Sequence, residues 1–191
     1  PSTQIKLIGI TGTNGKTTTA TLAYHLLRDL GFKVGLISTV ENKIHDTIIP
    51  STHTTPDPVQ LNALLAQMVD AGCDYVFMEV SSHAAHQHRI AGLQFTGGVF
   101  TNITHDHLDY HKTFSHYLSA KKMFFDGLPK TAFALVNSDD RNGEVMLQNC
   151  VAAKYTFSVK GPANFKAQIK ENVITGLVLN LDGAEFHSNL L

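Results

Sequence analysis

A chain of 191 residues, 43% hydrophobic and 16% charged, can bury the core of one substantial domain, and a second full domain is not expected. A formal net charge of −1 supplies no basic field for nucleic acid, and no apolar run approaches the ~20 residues of a membrane span, so the sequence argues for neither partner. Cys73 and Cys150 lie in apolar surroundings without metal-ligand spacing, and no secretory signal opens the chain. Both read as packing residues, and the expected location is the reduced cytoplasm.

Ile5 to Ile10 is an apolar, β-branched run of the kind found in a buried parallel strand. It breaks into Gly12-Thr13-Asn14-Gly15-Lys16-Thr17-Thr18, where glycines permit a tight turn whose N–H groups point at an anion and the next helix adds its positive end. Lys16 would bring a point charge to the outer phosphates of a nucleotide, and Thr17 a hydroxyl to a magnesium ion bridging them. The general P-loop pattern has glycine where Ile10 stands, so only its Gly15-Lys16-Thr17 core is matched. A helix follows, with Leu22, Ala23, Leu26, Leu27 and Leu30 at helical spacing and Gly31 as its stop.

Lys33 to Val40 reads as a second strand and Lys43 to Ile49 as a short hairpin arm. The polar loop from Pro50 to Pro58 is either connection or a substrate lip, and Asp57 with Pro58 opens a helix to about Ala71. Asp74 to Val80 is a third strand ending in Glu79, placed at the carboxyl edge where such sheets bind ligands, able to hold magnesium or orient a reacting group. Ala84 to Ala91 is expected to be helical, presenting Gln87 and Arg89.

Gly97 to Asn102 is a fourth strand opening into Thr104 to His111. His105-x-His107-x-Asp109 looks like the start of a zinc-hydrolase signature. Tyr110 stands where the next histidine should be, and a magnesium–nucleotide environment suits the cradle better. The helix from Phe114 to Phe125 is apolar at Tyr117, Leu118, Met123 and Phe124. It carries Lys121 and Lys122 on different faces, so that one can point inward. Thr131 to Asn137 and Lys154 to Phe157 are further strands around a short helix that runs to about Asn149. Beyond Gly161, three strand-like runs separated by Glu171-Asn172 and Asp182-Gly183 predict an antiparallel appendage. The fold class expected is α/β: a mostly parallel P-loop-type sheet flanked by helices, with that small antiparallel β appendage near the C-terminus.

Four features stand in one order: the Gly12 to Thr18 cradle; His53-Thr54-Thr55-Pro56; Met78-Glu79-Val80-Ser81-Ser82-His83 with Gln87-His88-Arg89; and Thr101-Asn102 leading to Asp106-His107-Leu108-Asp109-Tyr110-His111 and Ser119-Ala120-Lys121. Together they closely resemble the central ATP-binding domain of the Mur ligases of peptidoglycan synthesis, over essentially the whole chain and most nearly in the MurE branch. The resemblance implies a cytoplasmic, ATP-dependent amide ligase that activates the D-glutamyl carboxylate of UDP-N-acetylmuramoyl-L-alanyl-D-glutamate as an acyl phosphate for attack by a diamino acid.

Carried over by position, Gly12, Thr13, Asn14, Gly15, Lys16, Thr17 and Thr18 would hold the ATP phosphates. Thr17, Glu79, His107 and Lys121 would form the Mg2+ site, Lys121 as a carbamate. Lys16, Glu79, His107 and Lys121 would carry catalysis, while His53, Thr54, Thr55, Ser81, Gln87 and Arg89 would bind the UDP-N-acetylmuramoyl-dipeptide. His53 departs from the asparagine of the family pattern, though imidazole still donates a hydrogen bond.

The resemblance also implies a monomer. Residues 1–191 would be one central domain truncated at its C-terminal end, with the UDP-binding and amino-acid-binding domains absent. The added amine is left open between meso-diaminopimelate, lysine and another. Two readings compete: a MurF-like or folylpolyglutamate-forming ligase, and a P-loop switch that binds nucleotide without ligation.

Overall fold

A computed structural model of the chain describes residues 1–51, 53–106, 108–173, 176–181 and 183–188. The elements run β1 (Lys6–Thr11), α1 (Lys16–Asp29), β2 (Val34–Ile37), β3 (Glu41–Ile44), β4 (Thr47–Pro50), α2 (Pro58–Asp70), β5 (Tyr75–Glu79), α3 (Ser82–His86), β6 (Gly97–Phe100), α4 (Leu108–His111), α5 (Phe114–Asp126), β7 (Phe133–Asn137), α6 (Gly143–Leu147), β8 (Ala153–Ser158), β9 (Phe165–Val173), β10 (Gly176–Leu181) and β11 (Ala184–Ser188).

Among the described residues the strands form one sheet in the order β11-β10-β9-β8-β7-β6-β1-β5-β2-β3-β4. The stretch from β8 to β2 is parallel, and β9 joins β8 in parallel before turning antiparallel with β10 and β11. At the opposite edge β3 and β4 form the expected hairpin arm. The parallel centre with an antiparallel C-terminal group is the architecture the sequence pattern predicts.

Strand alternation sorts the core onto two faces. Leu7 of β1 and Val76 and Met78 of β5 face a cluster with Leu61, Leu65 and Met68 of α2 and Tyr117, Phe124 and Phe125 of α5. Ile8, Ile10 and Phe77 face the other way, onto Ala20 and Tyr24 of α1. Glu79 therefore shares the α1 face with Phe77. Gly9 and Gly98 let α5 come close: an added Cβ at Gly9 would lie 2.5 Å from Phe124 Cζ, and one at Gly98 3.0 Å from Phe124 Cε1. That approach delivers Lys121, one turn earlier on α5, to the end of β1.

Several local expectations change. Leu22 and Leu26 of α1 and its C-cap Leu30 are exposed, because the helix seats its Ala20–Tyr24 side on the sheet, with only Ala23 and Leu27 of the predicted stripe packing. Met123 of α5 is likewise exposed, and Phe125 is buried in the stripe with Tyr117 and Phe124. The helix expected over residues 84–91 starts earlier and stops sooner, since Ser81 Oγ caps it at Ala84 N and His88 takes the left-handed conformation at φ 56°. Glu171 and Asn172 do not turn. They remain in β9, paired with Val178 and Leu177. Asp57 caps α2 as expected, accepting from the N–H groups of Val59 and Gln60. Cys73 and Cys150 are buried free thiols, and among the described residues no helix is long and apolar enough to cross a membrane.

Candidate functional site

The parallel strands β1, β2, β5, β6 and β7 end along one edge, and most of the polar residues singled out from sequence sit there. The turn after β1 is shaped by two glycines. Gly12 has φ 153°, and an added Cβ there would collide with the Thr101 side chain and meet Asn102 O at 3.0 Å. Gly15, at φ 83°, is the left-handed residue that starts α1.

The loop is fastened to the end of β6. Asn14 N donates to Asn102 Oδ1 at 3.0 Å and Asn102 Nδ2 returns a bond to Asn14 O at 3.0 Å, while Thr101 Oγ1 donates to Asn14 O at 2.7 Å. Thr13 N donates to Asn102 O, and Thr13 Oγ1 meets Tyr117 Oη at 3.0 Å. Sequence reading assigned no role to Thr101, Asn102 or Tyr117. Polar residues ending an apolar strand were the available signal for the first two, and Tyr117 was taken only as core.

Two lysines converge on this turn. Lys16 Nζ donates to Gly12 O at 3.0 Å and Thr13 O at 2.7 Å, and Lys121 Nζ donates to the same Gly12 carbonyl at 2.8 Å. Lys121 is 2% exposed, and Lys122 on the opposite face pairs with Asp126 at 2.5 Å. Burial, reinforced by the charge of Lys16, pushes the Lys121 ammonium down to about 7. Burial also lowers Lys16, opposed by Glu79 and Asp106. Two cationic side chains sharing one carbonyl in a poorly solvated corner favour an anion or the loss of one charge.

Glu79, fully buried at the end of β5, faces α1 and accepts from Thr17 Oγ1 at 2.8 Å and from Thr39 N at 2.7 Å, both at Oε1. Residues of the loop from Pro50 to Pro58 close the far side. Thr55, buried, donates from Oγ1 to Glu79 O at 2.8 Å and accepts there from Ser81 N at 3.2 Å. Arg89 Nη1 donates to Thr55 O at 2.9 Å, and its Nε and Nη2 both reach Gln87 Oε1. A cavity of about 410 Å³ is lined by Lys16, Thr17, Thr39, His53, Thr54, Thr55, Glu79, Ser81, Arg89 and Lys121, with Ser82 and His83. Gln87 stands outside it, joined through Arg89, and Thr18 is exposed on the first turn of α1. His107 lies outside the described residues.

Magnesium suits the donors present: a carboxylate and a threonine hydroxyl are hard oxygen ligands, and this ion takes few protein ligands when phosphates and waters supply the rest. Among the described residues no group of three His, Cys, Asp or Glu side chains converges on a metal position, and His105 stacks on Phe114 at 4.9 Å.

The sequence model of the Mur ligase middle domain matches residues 10–191. The chain is 61% identical over 185 residues to the UDP-N-acetylmuramoyl-L-alanyl-D-glutamate--2,6-diaminopimelate ligase of Cytophaga hutchinsonii, covering 97% of this chain and 38% of that protein. A solved structure of a UDP-N-acetylmuramoyl-L-alanyl-D-glutamate--2,6-diaminopimelate ligase superimposes with a TM-score of 0.86 at 28% identity, over 98% of this chain and 40% of that one. The MurF ligase of Thermotoga maritima in complex with ADP superimposes at a TM-score of 0.65 and 18% identity, over 96% of this chain and 40% of that one, a likeness of fold alone. The chain thus spans about two fifths of the length of these relatives.

Proposed function

The chain belongs to the family of Mur ligase middle domains, and from that premise we propose that it is the ATP-handling part of a ligase joining 2,6-diaminopimelate to UDP-N-acetylmuramoyl-L-alanyl-D-glutamate. The name borne by the 61%-identical relative supports this choice of substrates and of amine. UDP recognition and selection of the amine belong, in this proposal, to parts of the ligase beyond these residues. The observation that carries the proposal is the convergence of Lys16 and Lys121 on Gly12 O beside Glu79 and Thr17.

A carboxylate is a poor electrophile, so phosphorylation supplies its leaving group, and attack by the amine then passes through a tetrahedral centre before phosphate departs. Cations must offset the charge gathered when one anion approaches another. Lys16 is placed to leave its two carbonyl partners for the transferring phosphoryl group. The N–H groups of the first turn of α1 would hold the remaining phosphate oxygens, those of Thr13 and Asn14 being given to Asn102, and Arg89, bonded to the lip at Thr55, would turn its Nε–Nη2 fork from Gln87 Oε1 to a substrate carboxylate. Thr17 and Glu79, with His107, would hold magnesium, which would supply positive charge against the phosphates.

Lys121 carries a second step of the proposal. With its pKa near 7, a large share of the amine is neutral at physiological pH and can add to carbon dioxide, losing a proton to give an anionic carbamate. The change would remove the cation that crowds Lys16 and supply a carboxylate-like group able to serve as a further magnesium ligand.

The test is the full-length ligase with ATP, magnesium and the UDP-dipeptide. Phosphate release should require an amine and be fastest with diaminopimelate. Turnover confined to a folate acceptor, or nucleotide binding without amide formation, overturns the proposal.

A further inference from the structure

Thr39 follows β2, which is the neighbour of β5 in the sheet, so the chain leaving β2 passes beside Glu79. Its N–H donates to Glu79 Oε1 at 2.7 Å, and its Oγ1 lies 3.2 Å from Glu79 Oε2 and 3.1 Å from Thr54 Oγ1. A carboxylate only accepts and a threonine has one hydroxyl proton. Thr39 therefore gives its proton to Glu79 and receives one from Thr54. The lip is thereby tied to Glu79 twice, through Thr39 to its carboxylate and through Thr55 to its backbone carbonyl.

We propose that Thr39 is a positioning residue that couples the cation-holding carboxylate of Glu79 to the substrate lip at Thr54, so that filling either position favours filling the other. The inference rests on the roles proposed above for Glu79 and Thr54. A cation taking an Oε1 position in place of Thr17 holds Glu79 where Thr39 steers it, and so keeps the Thr39 hydroxyl in its orientation toward Oε2. Thr54, bonded to that same oxygen, is ordered with it. Whichever ligand arrives second meets a link already set, and linkage makes the benefit equal in both directions.

The experiment uses the full-length ligase with a non-hydrolysable ATP analogue. Calorimetry reads UDP-N-acetylmuramoyl-dipeptide affinity with and without saturating Mn2+, and the spin resonance of free Mn2+ reads cation affinity with and without the dipeptide. In the unmodified enzyme each ligand should tighten the other ~5-fold or more. Thr39→Val, which keeps the N–H and removes the hydroxyl, should bring both factors to within ~2-fold of unity, and Thr39→Ser should restore them.

Should Thr39→Val fail a thermal-unfolding check, Thr54→Val breaks the same link from the other side and should give the same loss of coupling. Coupling that survives either folded valine variant, or that is absent from the unmodified enzyme, overturns the inference alone. Mn2+ affinity unchanged by Glu79→Gln overturns the assignment of Glu79 and the inference with it.

Discussion

The crevice at the carboxyl edge and the antiparallel group β9–β11 are held by opposite means. In the crevice, bonded partners are far apart in sequence: Thr17 and Glu79 by 62 positions, Asn14 and Asn102 by 88, Lys121 and Gly12 by 109. In the appendage, Leu181 pairs with Ala184, three positions on in the chain, and Phe165, Ile169, Val173 and Phe186 keep much of their surface exposed. Where long-range contacts gather buried charge, the arrangement serves a ligand, and disturbing it should be felt as lost function. Where short-range pairing leaves apolar side chains in water, substitutions should be nearly silent in this chain.

The largest break in that contrast should come from Lys121→Ala in the full-length ligase. Amide formation is expected to fall ~10²–10³-fold, the scale of losing one preorganised charge-stabilising group, with no recovery on adding bicarbonate. A normal rate in a phosphate-release assay would remove Lys121 from the machinery.

The same side chain predicts a dependence of stability on pH. Its folded pKa, about 7, is below the unfolded 10.5. At pH below 7 both states carry the proton, and the cost of burying the cation is present in full. As pH rises from 7 toward 10.5 the unfolded chain binds more protons than the folded one, so this group adds stability, by at most ~1.4 kcal/mol per pH unit. Urea unfolding of the 191-residue chain in bicarbonate-free buffer should show that rise, and Lys121→Met should flatten it.

A smaller loss is expected from Thr55→Val, which removes the bond to Glu79 O and the acceptor of Ser81 N while keeping the shape: ~1–3 kcal/mol by urea unfolding. Phe186→Ser should shift the same measurement by no more than ~0.5 kcal/mol. A larger shift would mean that the appendage supports the sheet more than its exposure implies.

The two regions were also legible to different degrees. The cradle, Glu79 and Lys121 could be read because glycine spacing, a carboxylate ending an apolar strand and two adjacent lysines on different helix faces each leave a local trace. Lys121 then proved to be the inward one. Thr39 left none, since a threonine soon after an apolar run reads as more strand, and only the β2–β5 neighbourhood turns it toward Glu79. The α1 stripe misled for a related reason: helical spacing finds leucines, whereas α1 rests on the sheet through Ala20 and Tyr24. At α3, Ser81 lines the cavity and its oxygen also caps the helix, which moves the helix forward and leaves Gln87 and Arg89 in the turn beyond it.

The fastening of the glycine turn to β6 bears on how a nucleotide would arrive under the proposed function. Fixing one residue's backbone costs ~1–2 kcal/mol. Thr13 and Asn14 are already held by Thr101, Asn102 and Tyr117, so a phosphate chain bound there would meet a part of the turn that is already set. The entropy was lost when the protein folded, and the association step is left to be governed by diffusion and by how readily Lys16 leaves its carbonyl partners.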